Sequence, residues 1–168
     1  MPTKTLLVSF LVALSLVPAS SAMASLSPSA ARTVLSNELR FENAGNGKKS
    51  CALMSESYQE LYLDIAVMIG SSGSNCQEIV PDLTAWRRKV DKDFSSKSRR
   101  ELKAVKKSKV VIEHPADRPT QAVVSFKYRG TPPGWKTRSN KTTYESYLLV
   151  SVNGKWRVDA ITQMEVKP

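Results

Sequence analysis

Residues 147–162 read YLLVSVNGKWRVDAIT and carry the clearest folding signal in the chain. Two strand-like runs are joined by Asn153-Gly154, a dipeptide typical of two-residue hairpin turns in which both positions need positive φ. Upstream, alternating apolar and polar residues predict strands over residues 105–113 and 121–129, with a proline-rich turn over residues 115–119 between them. The second part of the chain is therefore predicted to form an antiparallel meander.

Before these strands, the apolar residues follow helical spacing. A helix is predicted after Ser27-Pro28, because serine is a good N-cap and proline suits the first helical position. A second helix is predicted over residues 54–68, and a third follows Cys76. Pro81 indicates that the third helix either starts there or is kinked one turn in. Helices followed by a meander predict an α+β domain in which the helices cover one sheet face. The apolar stripe of the second helix consists of Met54, Tyr58, Leu61, Ile65 and Met68 or Ile69.

The N-terminus has the three parts of a secretory signal. Lys4 supplies the positive charge, residues 6–17 form an apolar run too short to span a membrane as a helix, and small residues end in Ala22-Met23-Ala24. We predict cleavage after Ala24, with Ala22 as a second possibility, and an uncleaved anchor as the alternative. Residues 1–24 are thus assigned as a signal peptide and residues 25–168 as one secreted domain, extracellular or in the periplasm or cell envelope.

The chain contains two cysteines, Cys51 and Cys76. In an oxidising compartment an isolated pair is typically a disulfide. A helix over residues 54–68 rises about 23 Å. The extended chain from Ile69 to Cys76 can run back over at most about 24 Å. Closure therefore predicts that the helix is short or frayed at one end, and that Cys76 opens the next helix close to Cys51. The alternative, a catalytic thiolate, has no CxxC motif and only one histidine to activate it.

Four segments together resemble small secreted NTF2-like proteins of actinobacteria, over about residues 28–165. The resemblance implies a cone-shaped α+β fold in which a curved antiparallel sheet surrounds a cavity. Family members include isomerases, hydrolases, binding modules and secretion-system components, so the fold leaves function open. The segments are a helix with a cysteine start (Cys51-Ala-Leu-Met-Ser), a second helix opened by Cys76-Gln-Glu-Ile, Leu102-Lys-Ala-Val105 leading into a strand, and the ending Val152-Asn-Gly-Lys-Trp-Arg-Val-Asp159.

An enzyme of the isomerase or hydrolase type needs an acid or base held in the apolar cone. Asp64 falls off the predicted inward face of its helix, and Asp159 lies on the opposite strand face from Trp156 and Val158. The lone His114 is expected to be an exposed loop residue, because no histidine or cysteine cluster accompanies it as metal ligands. These patterns identify no catalytic residue and leave catalysis open, and we predict neither a metal nor a cofactor. Tyrosines that are either pocket hydroxyls or core residues are Tyr58, Tyr62, Tyr144 and Tyr147.

The formal net charge is +10, and most of the excess lies in residues 87–109, where eleven basic residues face three acidic ones. Such clustering is typical of a surface that contacts a polyanion, although a solvated helix face has the same composition. From Arg99 to Lys107 no aromatic residue for base stacking is interleaved with the basic ones. The residues chosen as the anionic-surface contact are Arg99, Arg100, Lys103, Lys106 and Lys107.

Residues 130–141 form a long connection between the second and third predicted strands, and long loops are often functional. Trp135, Lys136 and Arg138 are a possible loop contact with a ligand or partner. Alternatively, Trp135 folds back to cap the core, because large aromatic residues are usually well buried.

The sequence thus predicts a non-catalytic secreted binding domain without a transmembrane span in the mature chain. Its expected partner is an anionic envelope polymer or a protein contacted through the basic segment. The alternative function is a small-molecule enzyme that uses the cone cavity for a small ligand. A third possibility is a homodimer formed through the exposed sheet face.

Overall fold

A computed structural model describes residues 25–129 and 142–167, which form five helices and a four-stranded antiparallel sheet. The predicted α+β class is confirmed. Sheet order follows chain order, so each strand pairs with the next one along the chain. The helices are α1 (Pro28–Asn43), α2 (Gly47–Cys51), α3 (Glu56–Ile69), α4 (Cys76–Val90) and α5 (Phe94–Lys107). The strands are β1 (Lys109–Glu113), β2 (Gln121–Arg129), β3 (Thr142–Val152) and β4 (Lys155–Lys167).

Short polar side chains begin four of the helices. Ser27 and Ser55 accept hydrogen bonds from the backbone N–H groups of the first turns of α1 and α3, each at 3.1 Å. Asn46 and Asn75 cap α2 and α4 in the same way. These caps satisfy donors that have no partner within the helix, which is why the helices start where they do.

The disulfide joins Cys51 and Cys76 with a Cα–Cα distance of 6.1 Å, which confirms the predicted pairing. However, Cys51 ends the short helix α2, and α3 begins only at Glu56. The interpretation in which one helix starts at the first cysteine is therefore wrong. Because α3 starts late, the chain needs to retrace less distance before Cys76 opens α4.

The apolar stripe predicted for α3 is also partly wrong. Tyr58, Tyr62 and Ala66 form the buried face, whereas Leu61 and Met68 are 48% and 76% exposed. The cap at Ser55 starts the helix at Glu56, two residues later than predicted, and its buried face follows the four-residue spacing of Tyr58, Tyr62 and Ala66.

Helix α4 begins at Cys76 and continues through Pro81, so the alternative in which it starts at the proline is wrong. Proline lacks the N–H that would bond to the carbonyl of Gln77. Gly47 packs directly against this carbonyl, and a Cβ added at Gly47 would lie 2.0 Å from its oxygen. Glycine is thus required where α2 meets α4.

The segment predicted as a strand from residue 105 is helical as far as Lys107, and β1 begins at Lys109. Val105 is fully buried and completes the inner face of α5. The guanidinium of Arg32 donates to the carbonyls of Val105 and Ser108, at 3.2 and 2.5 Å, and so holds the end of the helix. These tertiary contacts override the alternating pattern of the sequence.

The strand hairpin agrees with its sequence signal, because Asn153 and Gly154 have φ values of 52° and 74°. Residues 53–55 lie alongside β4, where the Ser55 N–H donates to the Val158 carbonyl at 2.7 Å and the Val158 N–H donates to the Leu53 carbonyl at 2.8 Å. The helices cover the sheet face whose buried residues are Ala122, Val124, Phe126, Tyr147, Leu149 and Val158.

Some predictions concern parts of the chain outside the described residues. These are the signal peptide over residues 1–24 and the loop over residues 130–141, with Trp135, Lys136 and Arg138. Within residues 25–129 and 142–167, none of the helices has the length and apolar character needed to cross a membrane.

Candidate functional site

Two carboxylates lie on the buried face of α1. Glu38 and Glu42 share this face with Ala31, Leu35 and Leu39, and they are only 4% and 7% exposed. The sequence analysis did not single them out. Their spacing from Leu35, at three and seven residues, was the available signal, because those positions share one helix face.

Glu42 connects α1 to two other helices. Its carboxylate accepts a hydrogen bond from the Tyr62 hydroxyl of α3 at 2.9 Å, and the Arg87 guanidinium of α4 lies at 3.0 Å. The Thr84 hydroxyl donates to the Glu42 backbone carbonyl at 2.7 Å. This buried carboxylate is therefore paired with a positive charge and hydrogen-bonded, as a buried charge must be.

Two further carboxylates face this region from α5 and β3. Glu101 lies on the face of α5 opposite to its exposed lysines, and Glu145 accepts a hydrogen bond from the Tyr147 hydroxyl at 2.8 Å. Together these groups form what we call the carboxylate–tyrosine cluster. Its members are Glu38, Glu42, Glu101, Glu145, Tyr58, Tyr62 and Tyr147.

Burial and mutual repulsion favour protonated acids in the cluster. Burial, followed by repulsion from Glu145 and Glu42, raises the pKa of Glu101 to about 7, although Arg87 acts in the opposite direction. Burial, with repulsion from Glu42 and Glu101, holds the pKa of Glu38 well above its usual range. Burial also raises the pKa of the Tyr62 hydroxyl above its ordinary value. The cluster thus places groups that favour the protonated form beside carboxylate oxygens that accept hydrogen bonds, and proton transfer requires such neighbouring donors and acceptors.

The structure places the tyrosines and aspartates that the sequence analysis considered as catalytic candidates in different surroundings. Tyr58, Tyr62 and Tyr147 belong to the cluster, so they are both buried and near carboxylates, while the side chain of Tyr144 lies outside the described residues. Asp64 is exposed on α3, as expected.

Asp159 has a clear structural role at the start of α3. Its carboxylate accepts hydrogen bonds from the hydroxyls of Ser55 and Ser57, at 2.5 and 2.6 Å. This places a negative charge at the helix N-terminus, which stabilises the helix. His114 is exposed, as expected, and its ring lies 6.1 Å from that of Trp156. In the described ranges, no group of three histidine, cysteine or acidic residues has the arrangement of a metal site.

The five residues chosen as the anionic contact all lie on α5 and are all exposed. At about 100° per residue they occupy an arc of about 120° on the helix. None of them forms an ion pair with a described residue. By contrast, Lys97 lies off this arc and pairs with Asp91 at 2.6 Å. We call this arc the basic face, and its members are Arg99, Arg100, Lys103, Lys106 and Lys107.

Comparison with known proteins gives no assignment. No family model matches the chain, and searches of curated proteins and of solved structures returned no match. The resemblance to NTF2-like proteins therefore stays a prediction.

Proposed function

We propose that this protein is a secreted NTF2-like domain that binds an anionic cell-envelope polymer through the basic face. The observation that carries the proposal is the set of exposed cations on one arc of α5 without ion-pair partners among the described residues. Cations paired with local acids would have little attraction left for a partner, whereas unpaired cations keep their full field.

The geometry of the basic face suits a linear polyanion. From Arg99 to Lys107 the helix rises about 12 Å, so the cations form a row along its axis. The opposite face of α5 is anchored by buried Val105, which keeps the row rigid. The arc carries no aromatic side chain on which bases would stack, and this favours an acidic wall polymer over single-stranded nucleic acid.

Two matched variants test the proposal. The first replaces Arg100, Lys103, Lys106 and Lys107 with glutamine. The control makes the same charge change elsewhere by replacing four exposed lysines with glutamine. These control positions are Lys48, Lys89, Lys92 and Lys155.

Binding to poly(glycerol phosphate), to DNA and to phosphatidylglycerol vesicles is measured over a salt series for the wild type and both variants. We expect the wild type and the control to bind poly(glycerol phosphate) most tightly, with affinity that falls as salt rises. The basic-face variant should lose at least tenfold in affinity. Equal losses in the two variants, or binding that does not depend on salt, would show that the basic face is only a solvated surface.

A second candidate function is small-molecule acid–base chemistry of the isomerase type. The convergence of carboxylates and tyrosines from α1, α3, α5 and β3 favours it, together with the pKa of about 7 for Glu101, which suits proton transfer near neutral pH. Isomerisation of a β,γ-unsaturated ketone, followed by ultraviolet absorbance, tests this candidate. A rate that Glu101→Gln abolishes would support it, and a rate equal to that of buffer alone would reject it.

A further inference from the structure

A pocket lies between the end of α1 and the first turns of α5. Its volume is about 260 Å³, close to the lower end of small-molecule sites. It adjoins the basic face, because Arg99 belongs to both. The lining residues are Arg40, Asn43, Ala44, Phe94, Ser95, Ser98, Arg99 and Leu102.

The α5 side of the pocket presents hydrogen-bond donors that lack acceptors. Asp93 precedes the helix without making a side-chain cap, and the Ser95 N–H in the first turn has no acceptor among the described residues. Ser98 is only 8% exposed, and its hydroxyl also has no hydrogen-bond partner within that part of the chain. The Ser98 oxygen itself reaches solvent, and because Ser98 lines the pocket, its hydroxyl is free to donate a hydrogen bond to a ligand there.

Two arginines line this pocket. Arg40 is exposed, and its guanidinium lies 4.6 Å from the centre of the Phe41 ring, which holds it in place. Arg99 comes from the second turn of α5, and neither arginine forms an ion pair with a described residue. With the positive end of the α5 dipole, these groups favour an anion that accepts several hydrogen bonds.

The terminal carbonyls of α1 already have donors within the protein, so they do not require a ligand as a hydrogen-bond partner. The Arg40 carbonyl accepts from the Ala44 N–H at 3.2 Å, the Glu42 carbonyl from Gly45 at 2.8 Å, and the Asn43 carbonyl from the Arg88 guanidinium at 3.1 Å. The end of α1 is thereby satisfied from within the protein.

Phe94 and Leu102 provide a half-buried apolar surface in the pocket. An aromatic ring beside hydrogen-bonding groups suits the apolar face of a sugar or polyol. We infer that the pocket binds one phosphate-bearing sugar or polyol unit, with the phosphate at Arg40, Arg99 and the start of α5. The inference rests on the proposed function only for the source of this unit, which would be the bound polymer.

The test uses glucose 6-phosphate, glucose and inorganic phosphate as probes, with binding measured by calorimetry and by amide chemical shifts. We expect glucose 6-phosphate to bind at least tenfold more tightly than either of the other probes, and to shift the amides of Ser95 and Ser98. An adventitious anion contact would instead give equal affinity for inorganic phosphate and glucose 6-phosphate, which would overturn the inference.

Two double variants with the same charge change locate the binding. Arg40→Gln with Arg99→Gln should weaken glucose 6-phosphate binding at least tenfold, and both positions are exposed, so the fold should be retained. Lys106→Gln with Lys107→Gln, on the same helix but outside the pocket, should change it less than twofold. Equal effects of the two variants would overturn the inference.

Ser98→Ala should weaken binding severalfold with an unchanged melting temperature, and unchanged binding would contradict the role of its hydroxyl.

Competition distinguishes the failure of this inference from the failure of the proposed function. Free glucose 6-phosphate should displace part of the poly(glycerol phosphate) bound to the wild type and none of that bound to the Arg40/Arg99 variant. Polymer binding without any binding of glucose 6-phosphate would reject the pocket and leave the basic face. Binding of glucose 6-phosphate without polymer binding would reject the proposed function and leave the pocket.

Discussion

Replacing Glu101 with glutamine should change how the stability of the protein depends on pH. Its carboxylate faces Glu145 from β3, Glu42 and Glu38 from α1, and the cation Arg87 from α4. Burial and repulsion from Glu145 and Glu42 raise its pKa from 4.5 to about 7 in the folded protein, although Arg87 lowers it. In the unfolded chain the group returns to its ordinary range.

The direction in which the free energy of unfolding changes with pH follows from proton binding. Between pH 4.5 and about 7 the folded protein holds more protons at Glu101 than the unfolded chain does, so the free energy of unfolding falls as pH rises through this range and is constant above it. The full pKa difference corresponds to about 3 kcal/mol. Because Glu101 keeps some contact with solvent, we expect about 2 kcal/mol. Glutamine mimics the protonated acid, so Glu101→Gln should not show this loss of stability as pH rises.

Urea unfolding at pH 5 and pH 8, followed by tryptophan fluorescence, checks the prediction. Glu101→Gln should match the wild type near pH 5 and exceed its stability by about 2 kcal/mol at pH 8. Glu60→Gln, which removes one exposed carboxylate from α3, is the matched control for charge. The reasoning would be refuted if Glu101→Gln lost as much stability between the two pH values as the wild type, or were the less stable protein at pH 8.

Three further changes test the packing by urea unfolding. Gly47→Ala should cost about 3 kcal/mol because its Cβ would meet the backbone of Gln77, and a loss below 1 kcal/mol would contradict this close approach. Replacing Cys51 and Cys76 together with alanine should cost about 3.5 kcal/mol for a closed loop with a sequence separation of 25, and unchanged stability would contradict the expected constraint. Asp159→Ala should cost about 2 kcal/mol because two hydroxyls lose their shared acceptor, and unaltered stability would show that the contact contributes little.

The sequence predicted the features that local chemistry determines. Asn153-Gly154 specified the hairpin because few residues tolerate its backbone, and Ser27 specified the start of α1. The disulfide was predicted from two isolated cysteines and from the expectation that the N-terminus is a secretory signal. The end of α5 was not predicted, because the contacts of Arg32 and the burial of Val105 come from distant segments.

The carboxylate–tyrosine cluster was missed for a related reason. Glutamate is rarely buried, so Glu38, Glu42 and Glu101 were not singled out in the sequence, even though they share helix faces with apolar side chains. Their burial depends on Tyr62 and Arg87, which arrive from other helices. The five cations of the basic face were chosen for their clustering in the sequence, whereas their place on one helix was not predicted, because residues from 105 onward were assigned to a strand.

The backbone contact of residues 53–55 with β4 has a consequence for aggregation. An uncovered strand edge pairs readily with other chains, and β4 lies at the edge of this sheet. The hydrogen bonds of Leu53 and Ser55 to Val158 occupy part of that edge. Because Cys51 lies two residues before this contact, reduction of the disulfide would loosen the cover as well as the helices. Under reducing conditions the protein should therefore self-associate through β4 before it unfolds completely.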